Sequence, residues 1–584
     1  MNSSTGHRWC AYPDPDCTSG YRYSNDDVGD GVGGACTAGA RYTLTVSVGG
    51  NGTGSIVSAP SGLACASGTC TGKFPAGTQV QLTAAPTSGS FLGWSNDCHG
   101  TDACVVTLDG DHGVGALFGI PGNALWLSGI GGTGGSLIEG TLRGNSLAMD
   151  GDGNLIIAGS FRRTIQLGMT TLTSAGGTDL FVAKISGRTG DVLWAKRFGG
   201  TRNDDSSDIA VDASNAIYIA GSYDSPSLDF GGGPLSTPGV RGGFLVKLTA
   251  DGANVWSRNL GSSGASSDSA SALGIAVTDN GVAATGRYNG SLNVDGNKLT
   301  SAGNGTIFAS DIFAVKFTTD GSLAWIKSFG DTGYDIGYDT AIDKHGNVVV
   351  VGSFQGTINS PDGPVDAGSS EAVLVLKLAS ADGSVLVAKR FGSTNTSDQS
   401  VAFSVAVDSS DNIFVAGGFY GSGDFGGSAP LAATREQDAF LAKYTSVGSY
   451  IWAKSFGGTG DDEAAVSVSV NATGDVAITG SFCGAISFGG DTLTAASQCP
   501  SAGGANPGTD MFAARFSGVS GSHLASERGG GARNDVGNSV VLAPDGRIFV
   551  SGSFQGFAEF GGTTLTALSP LPSSDGFVVA LPPL

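Results

Sequence analysis

The chain has 584 residues, 98 of them Gly, with 14% charged and 40% hydrophobic residues and a formal net charge of −21. That length exceeds one ordinary domain, the glycine lacks the Gly-X-Y period of collagen, and the apolar content is too high for a disordered chain. The acidic balance argues against nucleic acid and anionic lipid surfaces as partners, and no apolar run is long enough to span a bilayer as a helix.

Residues 1–41 are polar and read as a linker with a small cysteine loop. The opening "MNSSTGHRWCAYPDPDC" has no apolar signal core, so the chain is expected to be either cytosolic or a trimmed mature form, and its cysteines favour the second. Asp26, Asp27 and Asp30 lack the full Asp-x-Asp-x-Asp-Gly…Glu pattern of a calcium loop.

Residues 42–118 alternate apolar and polar between Gly and Pro turns, which predicts a small β domain. Trp94, in "FLGW", is expected in its core. Of the nine cysteines, Cys65/Cys70 and Cys98/Cys104 are close pairs here, and Cys483 and Cys499 flank one loop far downstream. These read as disulfides. "CASGTC" has zinc-like spacing, but the second pair does not, and His99 is the lone imidazole nearby. The pairing of Cys10, Cys17 and Cys36 stays open. Disulfides place the chain outside the cell or on its outer surface. "GNGTGSI", "FPAGTQVQLTA" and "FLGW" resemble the divergent internalin-B repeat family, which implies a stalk or spacer on an exported protein.

From residue 124 four phrases recur in order, seven times. The first has a strand of the type "SVAVDSSDN" (404–412), ending in Asp and a turn. The second is "LIIAGSF" (155–161), repeated as "IYIAGSY", "VAATGRY", "VVVVGSF", "IFVAGGF", "VAITGSF" and "IFVSGSF". The third is "DLFVAKI" (179–185) and its counterparts, and the fourth "VLWAKRFGG" (192–200) and its counterparts. Each is one strand long, and no 3.6-residue apolar period appears. Four antiparallel strands per repeat of roughly 65 residues is a propeller blade. The glycine of the second phrase (Gly159, Gly221, Gly286, Gly352, Gly417, Gly480, Gly552) is expected where backbones approach closely.

The last repeat stops after its third strand, while "ALWLSGIGGT" (124–133) matches the fourth phrase, with Trp126 in the place of Trp194 and Gly131 in that of Gly199. The expected fold is therefore all-β: a seven-bladed β-propeller over 124–584, closed by its N-terminal strand, behind the small β domain. "D..GN(I/V)φVAGSF", "FGG..LT" and "D.F.AK" resemble the bacterial seven-bladed β-propeller repeat family. That resemblance implies a secreted or surface protein and no single activity.

Acidic residues follow the fourth strand in the repeats: Asp204 and Asp205, Asp268, Asp335, Asp398, Asp461 and Asp462, and Asp535. They are expected at one end of the ring near the central channel, either binding a cation such as calcium or sugar hydroxyls, or holding turns. Their recurrence favours turns. Asp150, Asp212, Asp343 and Asp408 sit beside hairpin turns at the opposite end, where repeat 3 has Thr278. Trp126, Trp194, Trp256, Trp325 and Trp452 are expected to pack between blades; Lys184, Lys247, Lys316, Lys377, Lys443 and Arg515 to snorkel at the rim or pair with outer acids.

The five histidines form no metal pair and no Ser-His-Asp set, and no phosphate loop or dinucleotide fingerprint appears. The reading is a monomeric, exported, non-catalytic scaffold presenting a propeller face to a protein or carbohydrate ligand. The alternative is a propeller hydrolase or lyase acting on polysaccharide through channel-mouth carboxylates.

Overall fold

The computed structural model describes residues 11–13, 21–23 and 41–583, except 99–100, 102, 121–122, 133–135, 138–144, 237–239, 263–267, 304–308, 361–362, 394, 396–397, 461–462, 497–498, 500–507 and 570–572. Cys10, Cys17, Cys36, Asp26, Asp27, Asp30, Asp461 and Asp462 lie outside the described residues. The secondary structure among the described residues is all β, and no helix is long and apolar enough to cross a membrane. The chain divides into two bodies, residues 1–121 and 122–584.

The first body has two four-stranded sheets. One runs Gly68–Pro75, Arg41–Gly49, His112–Gly119, Ser90–Asn96, its middle pair parallel. The other runs Ala64–Cys65, Thr53–Ala59, Gln79–Ser88, Cys104–Thr107. In "QVQL" the glutamines are exposed while Val80 and Leu82 are fully buried, so the period-two pattern fills one core with Leu44, Val46, Ile56 and Phe118. Trp94 is buried in it against Phe91. Disulfides join Cys65 to Cys70 and Cys98 to Cys104.

In the second body each repeat folds into an antiparallel set paired in sequence order. In repeat 4, Ile336–Ile342 pairs with Val348–Ser360, that strand with Gly363–Leu378, and that with Val385–Phe391. The second and third strands are buried throughout "VVVVGSF" and "VLVLKL", as strands covered on both faces require, and partly exposed where they extend beyond these segments. Repeat 7 takes its fourth strand from the start of the body: Trp126–Gly131 pairs antiparallel with Asp575–Leu581, Trp126 opposite Ala580 and Ile130 opposite Gly576. A third disulfide joins Cys483 to Cys499 in the connection of repeat 6.

A β-bulge recurs in the first strand, between Ser206 and Asp208, Ala272 and Gly274, Gly337 and Asp339, Ala402 and Ser404, Ala465 and Ser467, and Gly537 and Ser539. It drives a backbone carbonyl onto the glycine of the second phrase. A Cβ on Gly352 would overlap the Ile336 carbonyl, and one on Gly417 that of Val401. In these six repeats the glycine is therefore demanded by the bulge, while a Cβ on Gly159 of repeat 1 would meet the Asn145 side chain and the Phe181 ring.

Trp126, Trp256, Trp325 and Trp452 each donate their indole N–H to a carbonyl in the third-to-fourth turn of the next repeat, at Gly187, Thr319, Ser380 and Gly518. Their rings also face a positive-φ glycine of that turn, as Trp325 does Gly383. They pack between repeats, as expected.

Candidate functional site

Of the described crossover acids, Asp204, Asp268, Asp335 and Asp535 are buried, and Asp205 and Asp398 are partly exposed. Asp204 accepts from the Gly200 amide at 2.6 Å and the Ser225 hydroxyl at 2.7 Å. Asp268 accepts from the Ser291 hydroxyl, and Asp398 from that of Ser393. Asp335 accepts from the amides of Asp331 and Gln355, and Asp535 from those of Gly531 and Gln555. Each tethers its crossover or the connection between the second and third strands. Asp204, Asp335 and Asp535 are 0% exposed. Burial pushes the Asp335 carboxyl up to about 7 and that of Asp535 up to about 8, against the pull of their backbone bonds. Among the described residues no three His, Cys, Asp or Glu side chains converge as a metal ion would need.

The hairpin-turn acids at the other end have partners that the sequence reading placed elsewhere. Asp150, Asp212, Asp343 and Asp408 accept turn amides two and four residues on, as at His345 and Asn347. The third-strand cations pair with them rather than with outer acids: Lys184 with Asp150, Lys377 with Asp343 and Lys443 with Asp408. Arg515 pairs with Asp475 in the same way.

A narrow polar space of about 170 Å³ is lined by first-strand residues from every repeat. Its carboxylates are Asp208 and Asp339, which the sequence reading did not single out. Asp208 accepts from the Ser146 hydroxyl and the Ile275 amide, Asp339 from the Ser404 hydroxyl and the Val405 amide. Both are thus used in stitching first strands together.

A larger cavity, about 560 Å³, lies over the first strands of repeats 2, 3 and 4, at the end that carries the crossovers. Here the repeat pattern breaks. Position 287 is Arg where the other repeats have Ser160, Ser222, Ser353, Gly418, Ser481 and Ser553. Its guanidinium lies over the Tyr334 ring, 5.4 Å from the centroid. Burial lowers its pKa, and the neighbouring Arg241 pushes the same way, while Tyr338 opposes. Arg241 is itself held by Asp205 at 2.6 Å and by the Ser222 hydroxyl. Tyr338 completes the wall, edge-on to Phe403. No candidate residue of the sequence reading pointed here except Asp205. The signal was present in "VAATGRY" and "VRGGFLVKL", whose arginines depart from their counterparts.

No family model matches the chain. It is 22% identical over 273 residues to an uncharacterized WD repeat-containing protein of Acanthamoeba polyphaga mimivirus, across 39% of this chain and 19% of that protein, so it spans about a fifth of that relative's length. Similar solved structures include a protein of unknown function from Dyadobacter fermentans (10% identity, TM-score 0.32, 79% of this chain and 99% of that one). Another is BamB from Moraxella catarrhalis (11% identity, TM-score 0.30, 72% and 98%). A third is a protein from Lactobacillus plantarum (12% identity, TM-score 0.34, 68% and 95%). These likenesses are too distant to bring an activity to this chain, and its repeat architecture rests on its own strand pairings.

Proposed function

We propose that residues 124–584 form a closed seven-bladed β-propeller, and that the chain is an exported, non-catalytic binding scaffold of the kind the bacterial propeller-repeat and internalin-B resemblances imply. Closure is supported by the pairing of Trp126–Gly131 with Asp575–Leu581 and by the contact of the first strand of repeat 7 with that of repeat 1. Export is supported by three disulfides among the described residues. The ligand docks at the crossover end of the ring.

The observation that carries the binding reading is the cavity at Arg287. A repeat protein that needed only a fold would keep a small residue there, as its sister repeats do with five Ser and one Gly; this one places a cation and two tyrosines in a concave space of small-molecule size. The hydrolase alternative draws no support from Asp335 and Asp535, whose carboxyls are sealed from any substrate. The test is to expose the full chain to panels of surface polysaccharides and bacterial surface proteins, following retention and cleavage together. Saturable retention without cleavage is expected. Cleavage of a retained polymer, or no retention by either panel, would overturn the reading.

A further inference from the structure

We infer that the cavity between repeats 2, 3 and 4 binds the carboxylate of an acidic sugar, a hexuronate unit of a polysaccharide, with Arg287 as the carboxylate-binding residue. The inference rests on the binding-scaffold reading above and names its ligand class.

The charge balance of the cavity selects the anion. Arg241 is already neutralised by Asp205, and Asp224 stands 3.6 Å from the same guanidinium. Arg287 faces no carboxylate among the described residues; the partner the structure gives it is the Tyr334 ring. An anion is therefore received at Arg287 rather than at Arg241, and a single guanidinium beside two acids suits a singly charged carboxylate. A phosphate dianion would meet the Asp205 carboxylate as well as the arginine and gain less. The planar fork of a guanidinium matches a carboxylate with two parallel hydrogen bonds, and here it lies over the Tyr334 ring in a cation–π contact.

The rest of the wall selects the body of the ligand. Ser269 and Ser271 line the cavity beside the tyrosines at 334 and 338, while the Ser222 hydroxyl accepts from Arg241 and that of Ser310 donates to the Asp335 carbonyl. A wall that sets hydroxyls beside aromatic rings suits a pyranose, with its polar rim and apolar C–H faces, better than a fatty acid or an aliphatic side chain. The protein's charge of −21 disfavours anions at long range. The cavity is therefore expected to act at contact distance, as a selective local site rather than an attractive field.

The experiment is calorimetric titration of the full chain with di- and trigalacturonate, with the neutral galactose oligomers, and with inorganic phosphate and acetate. Two variants accompany it. R287S installs the residue that five sister repeats carry at this position, so it is compatible with the blade; R287K keeps the charge but loses the fork. We expect saturable uronate binding by the wild type, weakened about tenfold to a hundredfold in R287S and partly retained in R287K. Neutral oligomers and acetate alone are expected not to saturate. Equal uronate binding by R287S, equal binding of the neutral oligomers, or tighter binding of phosphate would overturn the inference. If wild type and R287S bind no uronate yet both are retained by the surface-polymer or surface-protein panel, the inference fails while the scaffold reading stands. If neither variant is retained by anything, both fail.

Discussion

The ammonium of Lys377 lies 2.9 Å from the carboxylate of Asp343, and the two side chains are 8% and 0% exposed. The same ammonium donates to the Ser446 carbonyl in the next repeat. One cation therefore ties the turn of its own repeat to the turn of its neighbour. Breaking such a pair from one side leaves a buried charge uncompensated. Asp343→Asn is expected to destabilise the second body by about 3 kcal/mol, and Lys377→Met by a similar amount. The double variant is expected to recover much of the loss. Denaturant melts of the four proteins check this; additive losses would show that the two groups do not act as a pair.

Repeat 3 provides the control. Thr278 replaces the turn acid, and Lys316 instead donates to the Gly346 carbonyl at 2.7 Å and the Ser380 hydroxyl at 2.6 Å. Burial lowers its pKa, with Asp343 opposing. Its removal strands no carboxylate in its own turn. Lys316→Met is expected to cost about 1 kcal/mol, clearly less than Lys377→Met in the same melts. Equal losses would mean that the neutral acceptors matter as much as the ion pair.

The strand order and the pairing of Trp126–Gly131 with Asp575–Leu581 are readable because they depend on phrases that recur at fixed register: Trp126 and Gly131 stand to each other as Trp194 and Gly199 do. The turn acids were readable for the same reason. What was not readable follows from the bulge. An extra residue between Gly337 and Asp339 breaks the period-two alternation, so Asp339 reaches the central space although no pattern in "DIGYDTAID" puts it there. The depth of Asp335 was hidden too, because it depends on the connection at Gln355, twenty residues away, folding over it. Arg287 is hidden for a different reason: recurrence marks what the repeats share, and this side chain lies where "VAATGRY" departs from its sisters.

Gly352 tests the bulge directly. A methyl there would overlap the Ile336 carbonyl, which is backbone and cannot rotate away. Gly352→Ala is expected to destabilise by about 3 kcal/mol or more, in the range of severe overpacking. Gly296→Ala is the comparison: its φ is +85° with nothing within 4 Å of a new Cβ, so it meets only the left-handed penalty of about 1 kcal/mol. If the two variants melted together, close approach would not be why the glycine recurs.

The crossover acids predict an unusual pH response. The Asp535 carboxyl is raised to about 8 and that of Asp335 to about 7, chiefly by burial, against an ordinary value of 3.8. The folded state thus holds these protons more tightly than the unfolded chain does. Their contribution is most favourable below about pH 4 and is lost progressively as pH rises through 7 and 8. Part of the strain at Asp535 comes from Asp510, and both carboxylates crowd Gly530. Asp535→Asn sacrifices hydrogen-bond quality but removes the titration. It is expected to flatten the fall in stability between pH 5 and pH 9, by an amount on the order of a few kcal/mol over that window. Melts of wild type and variant across that range decide it. Parallel slopes would mean that Asp535 is already ionised and paired in the folded protein.

The closing strand makes the last prediction. Trp126–Gly131 lies antiparallel to Asp575–Leu581 through five residue pairs, and the Trp126 indole reaches the Gly187 carbonyl in repeat 1. Deleting residues 124–132 from the full chain would leave the edge of Phe577, Val578 and Val579 unpaired, an apolar template for association with other chains. It would also remove the indole that joins repeat 7 to repeat 1. A ring held shut at one seam loses its cooperativity when that seam is opened, because both flanking repeats then have an uncovered face. The deletion is expected to lower and broaden the melting transition and to raise aggregation, with hydrogen exchange accelerated first in repeats 7 and 1. A sharp, unshifted melt with exchange unchanged at Asp575–Leu581 would refute closure by this strand. The remaining repeats would then be a stack that does not depend on being a ring.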